Sequence, residues 1–98
     1  MSALIRVRQF LSEEGLNAFP AMFARHRHLA SAFAGFISLK HSGSGWTGRN
    51  NEVEVTLEFE SEVLLKRWRS SSQHELVAAG YRRYWTREPE IVLYSVQD

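Results

Sequence analysis

The stretch that decides the fold is LKRWRSSSQHELVAAGYRRYWTREPEIVLYSV, residues 65–96. Its helical first part carries Trp68 and is broken by three serines. The SQHE sequence at residues 72–75 has the form of a capping box, which predicts a new helix from residue 72 with Ser72 as its N-cap. Pro89 then precedes the apolar run 91–96, which is typical of a strand. The stretch therefore predicts two helical pieces and a closing strand.

The residues before this stretch alternate between strand and helix patterns. Residues 3–10 alternate loosely, and residues 52–60 alternate clearly, with apolar side chains at positions 53, 55, 57 and 59 and glutamates or Thr56 between them. Both segments are predicted strands, and residues 36–41 form a third. Ser12 is the expected N-cap of a helix that ends near Gly35. Pro20 is expected to kink this helix or split it in two.

The predicted order is β-α-β-β-α-β, an α+β ferredoxin-like sandwich with an antiparallel sheet and both helices on one face. At 98 residues the chain is expected to form a single domain, residues 1–98. A partner chain is the simplest cover for the other face, because so small a domain buries a modest core. The glutamates of the third strand then need cationic partners, for which Arg6 and Arg8 are candidates.

Composition excludes several classes of function. A net charge of +1 gives no field that would recruit nucleic acid, and glutamates on the open face of the third strand argue against an RNA-recognition domain of the same topology. The chain has no cysteine, hence no disulfide and no thiolate site. No apolar run is long enough to span a membrane, and no signal peptide is evident. We expect a cytoplasmic protein.

Residues 68–85 hold the side chains that can carry chemistry. Trp68 either packs in the core or lines a pocket. His74 lies in the first turn of a helix, where the positive end of the dipole favours a neutral imidazole that can act as a base. Arg82 can bind an anionic oxygen, Tyr84 can exchange a proton, and Trp85 extends this aromatic group. The arginines of this half also allow a simple solvated basic face.

The remaining histidines give no metal site. His26 and His28 are two residues apart on a helix, so they cannot form an i, i+4 pair, and we expect both at the surface. His41 ends a strand and is expected to be solvated. We therefore expect neither a metal nor another cofactor.

The order of Trp68, His74, Gly80, Arg82 and the closing strand resembles the antibiotic biosynthesis monooxygenase domain family. This resemblance implies a homodimer, in which two sheets pack face to face as a dimeric α/β barrel. It also implies cofactor-independent oxidation of an aromatic, quinol-like molecule. In such enzymes the substrate anion itself reduces O2, while the protein takes the proton, holds the anion and excludes water.

The resemblance gives each candidate residue a role. Trp68 and Trp85 would bind the aromatic substrate, His74 or Tyr84 would take its proton, and Arg82 would stabilise the anion. Two alternatives remain. The same pocket would serve a non-catalytic dimeric small-molecule-binding module. A haem-degrading monooxygenase is the weaker alternative, because that branch uses an asparagine on the first strand and residues 4–10 contain none.

Overall fold

The computed structural model describes residues 2–42 and 51–96. The turn-rich connection predicted around residues 42–51 lies almost wholly outside them. The elements are β1 (Ser2–Phe10), α1 (Glu13–Ser31), β2 (Phe36–Ser42), β3 (Glu52–Phe59), α2 (Glu62–Arg69), α3 (Ser72–Arg82) and β4 (Glu90–Val96). All neighbouring strands are antiparallel, in the order β2-β3-β1-β4. The predicted ferredoxin-like topology is confirmed, and its second helical unit consists of α2 and α3.

The core lies between the helices and one face of the sheet. The predicted alternation of β3 is confirmed, since Val53, Val55, Leu57 and Phe59 are all buried. Their partners on β1 include Ile5, which lies opposite Leu57. Residues of β4 lie on the same face of the sheet as the β1 residues that they pair with, so Leu93 shares this face with Ile5. Because Leu93 is exposed, the helices cover β1 and β3 more completely than β4.

Helix α1 runs without interruption past Pro20, so of the kink or split expected there the split is wrong. Ser12 is its N-cap, as predicted, and accepts a hydrogen bond from the backbone N–H of Gly15 at 3.1 Å. Pro20 is exposed, so its ring lies on the solvent side of the helix. The carbonyl of Leu16 loses only the one hydrogen bond that the missing N–H of Pro20 would have donated. The proline is therefore tolerated within one helix.

Helix α3 begins at residue 72, as predicted, but its N-cap is Ser71 and not Ser72. The Ser71 hydroxyl accepts a hydrogen bond from the backbone N–H of His74 at 3.1 Å and donates to the carbonyl of Trp68 at 2.6 Å. One serine thus joins the end of α2 to the start of α3. The cap falls one residue earlier than expected, because Ser71 alone can reach both helix ends.

Replacing Ser71 with alanine should lower the free energy of unfolding by about 0.5–2 kcal/mol, because the N–H of His74 loses its capping acceptor. The Ser72→Ala variant is the matched control and should change it by less than about 0.5 kcal/mol, as expected for an exposed position without such a role. Urea denaturation of both variants measures the difference. A larger loss in Ser72→Ala would restore Ser72 as the cap.

The open face of the sheet carries the ion pairs that the sequence predicted. Arg8 Nε lies 2.8 Å from Glu52 Oε1, and Arg8 Nη2 lies 3.6 Å from Glu54 Oε2. Arg6 Nε lies 3.5 Å from Glu54 Oε1. These side chains are partly exposed, so each pair contributes little to stability. Their effect is to neutralise Glu52 and Glu54 of β3 in place.

The edge strand β4 exposes an apolar surface. Four consecutive residues have exposed fractions between 39% and 56%, namely Ile91, Val92, Leu93 and Tyr94. Val92 and Tyr94 share the open face with Arg6 and Leu4, whereas Ile91 and Leu93 lie on the face that carries the helices. A run of this length on an edge strand is the kind of surface that proteins normally cover.

Candidate active site

A cavity of about 220 Å³ lies between the sheet and α3. Strands β1, β3 and β4 contribute apolar walls, and α3 adds Val77 and Ala78. The polar and aromatic groups are Gln9, His26, Arg69, His74, Tyr81, Arg82 and Trp85. A second cavity of about 50 Å³ adjoins it at the end near Ile5, and Trp68 contributes to its wall. Apolar walls with a few convergent polar groups are typical of a small-molecule site.

A third cavity, of about 360 Å³, lies between α2 and β4. It is larger, but its lining includes no histidine, and its acid Glu62 is hydrogen-bonded to Ser95. Groups with perturbed pKa values that line a cavity are candidates for a functional site. The histidines with perturbed pKa values both line the 220 Å³ cavity, so we assign the candidate site there.

His74 is placed at the cavity by the first turn of α3, as the sequence predicted. Its side chain is half-buried. Burial lowers the pKa of His74, and the positive charges of Arg69 and Arg82 lower it further, against an opposing effect of Glu75. Because the ordinary value is already below 7, the imidazole is neutral at pH 7. His74 can therefore accept a proton from a ligand.

Arg82 lies at the far end of α3 but reaches back along the helix toward His74. Its Nη1 is 3.3 Å from Oε1 of Glu75, seven residues earlier. The Arg82–Glu75 pair is exposed, so it holds the guanidinium only weakly and leaves it available to an anionic ligand. The structure thus brings Arg82 and His74 to one cavity.

Arg69 is a second cation at this cavity, and the sequence did not single it out. It ends α2 and lines both the 220 Å³ cavity and the adjoining one. It belongs to the arginine run that we interpreted as a solvated face. The signal that could have identified Arg69 is its position in the sequence, between Trp68 and His74 and directly before the short connection from α2 to α3.

Trp68 is a core residue, which is one of the two alternatives that the sequence left open. It is 0% exposed. Its ring stacks on His26 at 5.9 Å, and the rings of Phe33 and His74 pack against it in perpendicular arrangements at 5.0 and 5.5 Å. Trp68 does not line the 220 Å³ cavity itself. It packs against both imidazoles and so helps to fix their positions.

The expectation that His26 lies at the surface is wrong. It is 8% exposed, and its Nδ1 lies 3.1 Å from the hydroxyl of Tyr81. Burial, with a smaller effect of His74, lowers the pKa of His26 to about 4, and burial raises the pKa of Tyr81. His26 follows Phe19 and Phe23 at helical spacing on the buried side of α1. That spacing was the missed signal. His28 is exposed, as expected.

Stability should fall as the pH drops from 6.5 toward 4, because of His26. The unfolded chain binds a proton near pH 6.5 and the folded chain only near pH 4, so acid favours unfolding between those values. The slope from this one group is about 1 kcal/mol per pH unit. Urea denaturation from pH 4 to 8 should show a shallower slope for His26→Gln, which can still bond Tyr81. The exposed control His28→Gln should follow the native protein, and an equal slope in His26→Gln would contradict the assignment.

His41 is exposed, as expected, although its ring packs against two aromatic rings of α1. The ring of Phe19 lies 5.2 Å from that of His41, and the ring of Phe23 lies 4.6 Å from it. His41 lines neither the 220 Å³ cavity nor the adjoining one within the described residues. It therefore takes no part in the candidate site.

Tyr84 and Trp85 are adjacent in sequence but lie in different places. Trp85 lines the cavity, and its indole N–H donates to Oε1 of Gln9 at 2.8 Å. Tyr84 lines neither this cavity nor the adjoining one within the described residues. It packs closely against Gly15, and the Arg83 guanidinium lies 5.4 Å from its ring. The structure therefore does not bring Tyr84 to His74.

Tyr81 is the tyrosine at the cavity, since it shares the buried side of α3 with Val77 one turn earlier. Tyr84 follows the end of the helix and turns away.

Within residues 2–42 and 51–96, no three side chains of metal-binding type lie close enough together to hold a metal ion. In the same ranges, no helix is both long and apolar enough to cross a membrane.

No family model and no curated protein matches the sequence. Solved structures do match in fold. SnoaB, a cofactor-independent oxygenase from Streptomyces nogalater, superposes with a TM-score of 0.79 at 15% identity, over 100% of this chain and 96% of that one. A protein from Nitrosomonas europaea, named as a candidate antibiotic biosynthesis monooxygenase, has a TM-score of 0.82 at 7% identity, over 97% and 89%. This chain has their fold.

A dimeric ferredoxin-like protein from Jannaschia sp. CCS1 is similar to the same extent. Its TM-score is 0.82 at 12% identity, and the match covers 98% of this chain and 100% of that one. The resemblance inferred from Trp68, His74 and Arg82 is thus confirmed at the level of the fold. Identities this low do not carry a substrate from one chain to another.

Proposed function

We propose that this protein is a cofactor-independent monooxygenase that oxidises a flat, quinol-like phenol. The observation that carries the proposal is the neutral imidazole of His74 at an apolar cavity that Arg69 and Arg82 also line, two arginines whose charges act on His74. A neutral base beside two cations is suited to removing a proton and holding the anion that results. The fold shared with a cofactor-independent oxygenase supports the same class of reaction.

The first step is proton transfer. His74 takes the phenolic proton, and its neutral form is the one that can do so. The negative charge that develops on the phenol oxygen is stabilised by Arg69 and Arg82, whose charges also oppose protonation of His74 before the substrate arrives. The neutral Tyr81–His26 pair lies at the cavity without adding charge. The two arginines therefore keep His74 neutral in the free protein and stabilise the phenolate once the substrate is bound.

The second step is oxidation of the phenolate by O2. The electrons come from the aromatic ring, so the balance is one phenol plus O2 giving one quinone plus water. One oxygen atom becomes the new carbonyl, and the other leaves as water with the phenolic hydrogen and the hydrogen of the oxidised ring carbon. Val7, Val55, Val77 and Ile91 give the cavity apolar walls, which limit hydration of the reacting anion on the protein side.

The size of the cavity limits the substrate. Pockets for drug-sized ligands span roughly 300–1,000 Å³, and this cavity of about 220 Å³ is smaller. We therefore expect one or two fused rings to enter it, with the adjoining 50 Å³ available beside His74.

Oxygen uptake by the protein with a panel of hydroquinones, naphthols and anthrones tests the proposal. We expect uptake above the spontaneous rate for at least one two-ring member, with one quinone that carries one added oxygen atom, and no hydrogen peroxide, formed for each O2 consumed. Calorimetric titration of the same panel under nitrogen measures binding separately. Binding without oxygen uptake would favour the non-catalytic small-molecule-binding module, and neither binding nor uptake would contradict both functions.

We also propose that the protein acts as a homodimer that covers β4. Support comes from the exposed apolar residues 91–94 and from the dimeric ferredoxin-like protein of the same fold. Light scattering coupled to gel filtration should give twice the 11.3 kDa mass of the chain. Val92→Glu should yield a monomer, because it places a charge in the contact on the open face, whereas Val63→Glu on α2 should remain dimeric. A monomeric native protein at micromolar concentration would contradict the proposal.

A further inference from the structure

We infer that Gln9 determines specificity by donating a hydrogen bond from its amide nitrogen to an acceptor oxygen of the ligand. The donor role stands on the geometry of Gln9 and Trp85. The statement that the ligand is an aromatic phenol rests on the proposed function. Gln9 was not among the residues that the sequence singled out, because glutamine on a strand carries no motif.

The orientation of the Gln9 amide is fixed by Trp85. Indole nitrogen can only donate, so the atom 2.8 Å from Trp85 Nε1 must be the amide oxygen of Gln9. The NH2 group of Gln9 therefore points away from Trp85. This assignment follows from chemistry and removes the usual ambiguity between the two ends of an amide.

Among the residues that the structure describes, the NH2 group of Gln9 has no acceptor. Gln9 is 3% exposed, lines the 220 Å³ cavity, and its amide nitrogen donates to no residue within 2–42 and 51–96. A buried donor without an acceptor is costly, and the cavity that Gln9 lines is the space from which an acceptor can reach it. A ligand oxygen at this position would satisfy it.

Gln9 lies at the end of the cavity away from Trp68. Ile5 and Gln9 lie on the same side of β1, and at about 3.3 Å per residue they are roughly 13 Å apart along the strand. The adjoining 50 Å³ cavity is at the Ile5 end, with Trp68 and His74, and Gln9 does not line it. The ligand class that uses both ends has two oxygens on opposite sides of a flat body. One loses its proton to His74, and the other accepts from Gln9.

Two ligands of equal shape test this inference. The probes are 4-methoxy-1-naphthol, which carries an acceptor oxygen opposite its phenol, and 4-ethyl-1-naphthol, which does not. Titration calorimetry under nitrogen should show the native protein binding the methoxy compound about tenfold more tightly, the effect of one well-placed hydrogen bond. Gln9→Met keeps the shape of the side chain without its donor and should abolish that preference.

Two further variants keep the test interpretable. Gln9→Met leaves the indole N–H of Trp85 without an acceptor, which could destabilise the fold. The double variant Gln9→Met/Trp85→Phe removes both partners of this hydrogen bond and so avoids the unsatisfied donor. It should also show no preference. Gln73→Met is the matched control, since Gln73 is an exposed glutamine on α3, and it should keep the tenfold preference.

Equal binding of the two naphthols to the native protein, absence of binding by either, or a preference that survives Gln9→Met would each overturn the inference. The proposed function is judged separately by oxygen uptake. Oxygen uptake with no effect of Gln9 would reject the role of Gln9 alone. A Gln9-dependent preference without oxygen uptake would support the role of Gln9 and reject the monooxygenase.

Discussion

His74→Ala should slow turnover of a bound phenol by about 10²–10⁴-fold, the usual loss when a general base is removed. Ligand affinity should change little, because the apolar walls and both arginines remain. Steady-state oxygen uptake gives kcat, and calorimetry under nitrogen gives the dissociation constant. His28→Ala, which removes an exposed histidine from α1, is the control and should leave both quantities unchanged.

The pH dependence of kcat/KM should carry the signature of this base. The pKa of His74 is lowered by burial, Arg69 and Arg82, so activity should be constant above pH 7 and fall as the pH drops through that lowered value. Arg82→Gln removes one of the positive charges and should move the acid limb of the profile to higher pH. Full activity in His74→Ala would remove His74 from the mechanism, whereas an unchanged limb in Arg82→Gln would show that Arg82 does not act on His74.

Trp68→Ala should lower the free energy of unfolding by about 3–5 kcal/mol, the range for deleting a large buried aromatic side chain. Trp68 is fully buried and packs on His26, Phe33 and His74, so the change leaves a void that its neighbours can fill only in part. Urea denaturation measures the effect. A loss of this size is a large part of the total free energy of unfolding of a small domain.

Two control variants, Trp68→Phe and Val63→Ala, show whether the loss of stability comes from lost packing in the core. Phenylalanine keeps part of the packing and should cost less than alanine does. Val63 is exposed on the same helix, and its truncation should change the free energy by less than about 0.5 kcal/mol. A loss below 1 kcal/mol in Trp68→Ala, together with weaker ligand binding, would place Trp68 in the ligand site instead of the core.

The fold could be predicted because its signals are local. The alternation of β3 is set by neighbouring residues, and Ser12 and Ser61 cap α1 and α2 through hydroxyls three residues from the N–H groups they satisfy. The displaced cap of α3 shows the limit of such signals. Three consecutive serines offer equal chemistry, and the choice of Ser71 depends on its second bond, to the end of α2.

The site could be predicted only in part, because it depends on contacts between distant segments. His74 was found from its position in a helix, but the burial of His26 depends on Tyr81, 55 residues away. Arg69 looked like its solvated neighbours, because nothing local distinguishes the arginine that meets a cavity. Gln9 acquires its role from Trp85, 76 residues later. Tyr84 was expected beside His74, but helix α3 ends before it, and Tyr84 does not line the 220 Å³ cavity.

Rapid mixing of the protein with a 1-naphthol under nitrogen, with the phenolate absorbance recorded near pH 7, tests the central claim most directly. With O2 absent, only binding and proton transfer can occur. The native protein should form the phenolate well below the pH at which the free phenol ionises, Arg82→Gln should form less of it, and His74→Ala should form it about 10²–10⁴-fold more slowly. Equal rates of phenolate formation in the native protein and His74→Ala, or no phenolate in either, would contradict the assignment of His74 as the base.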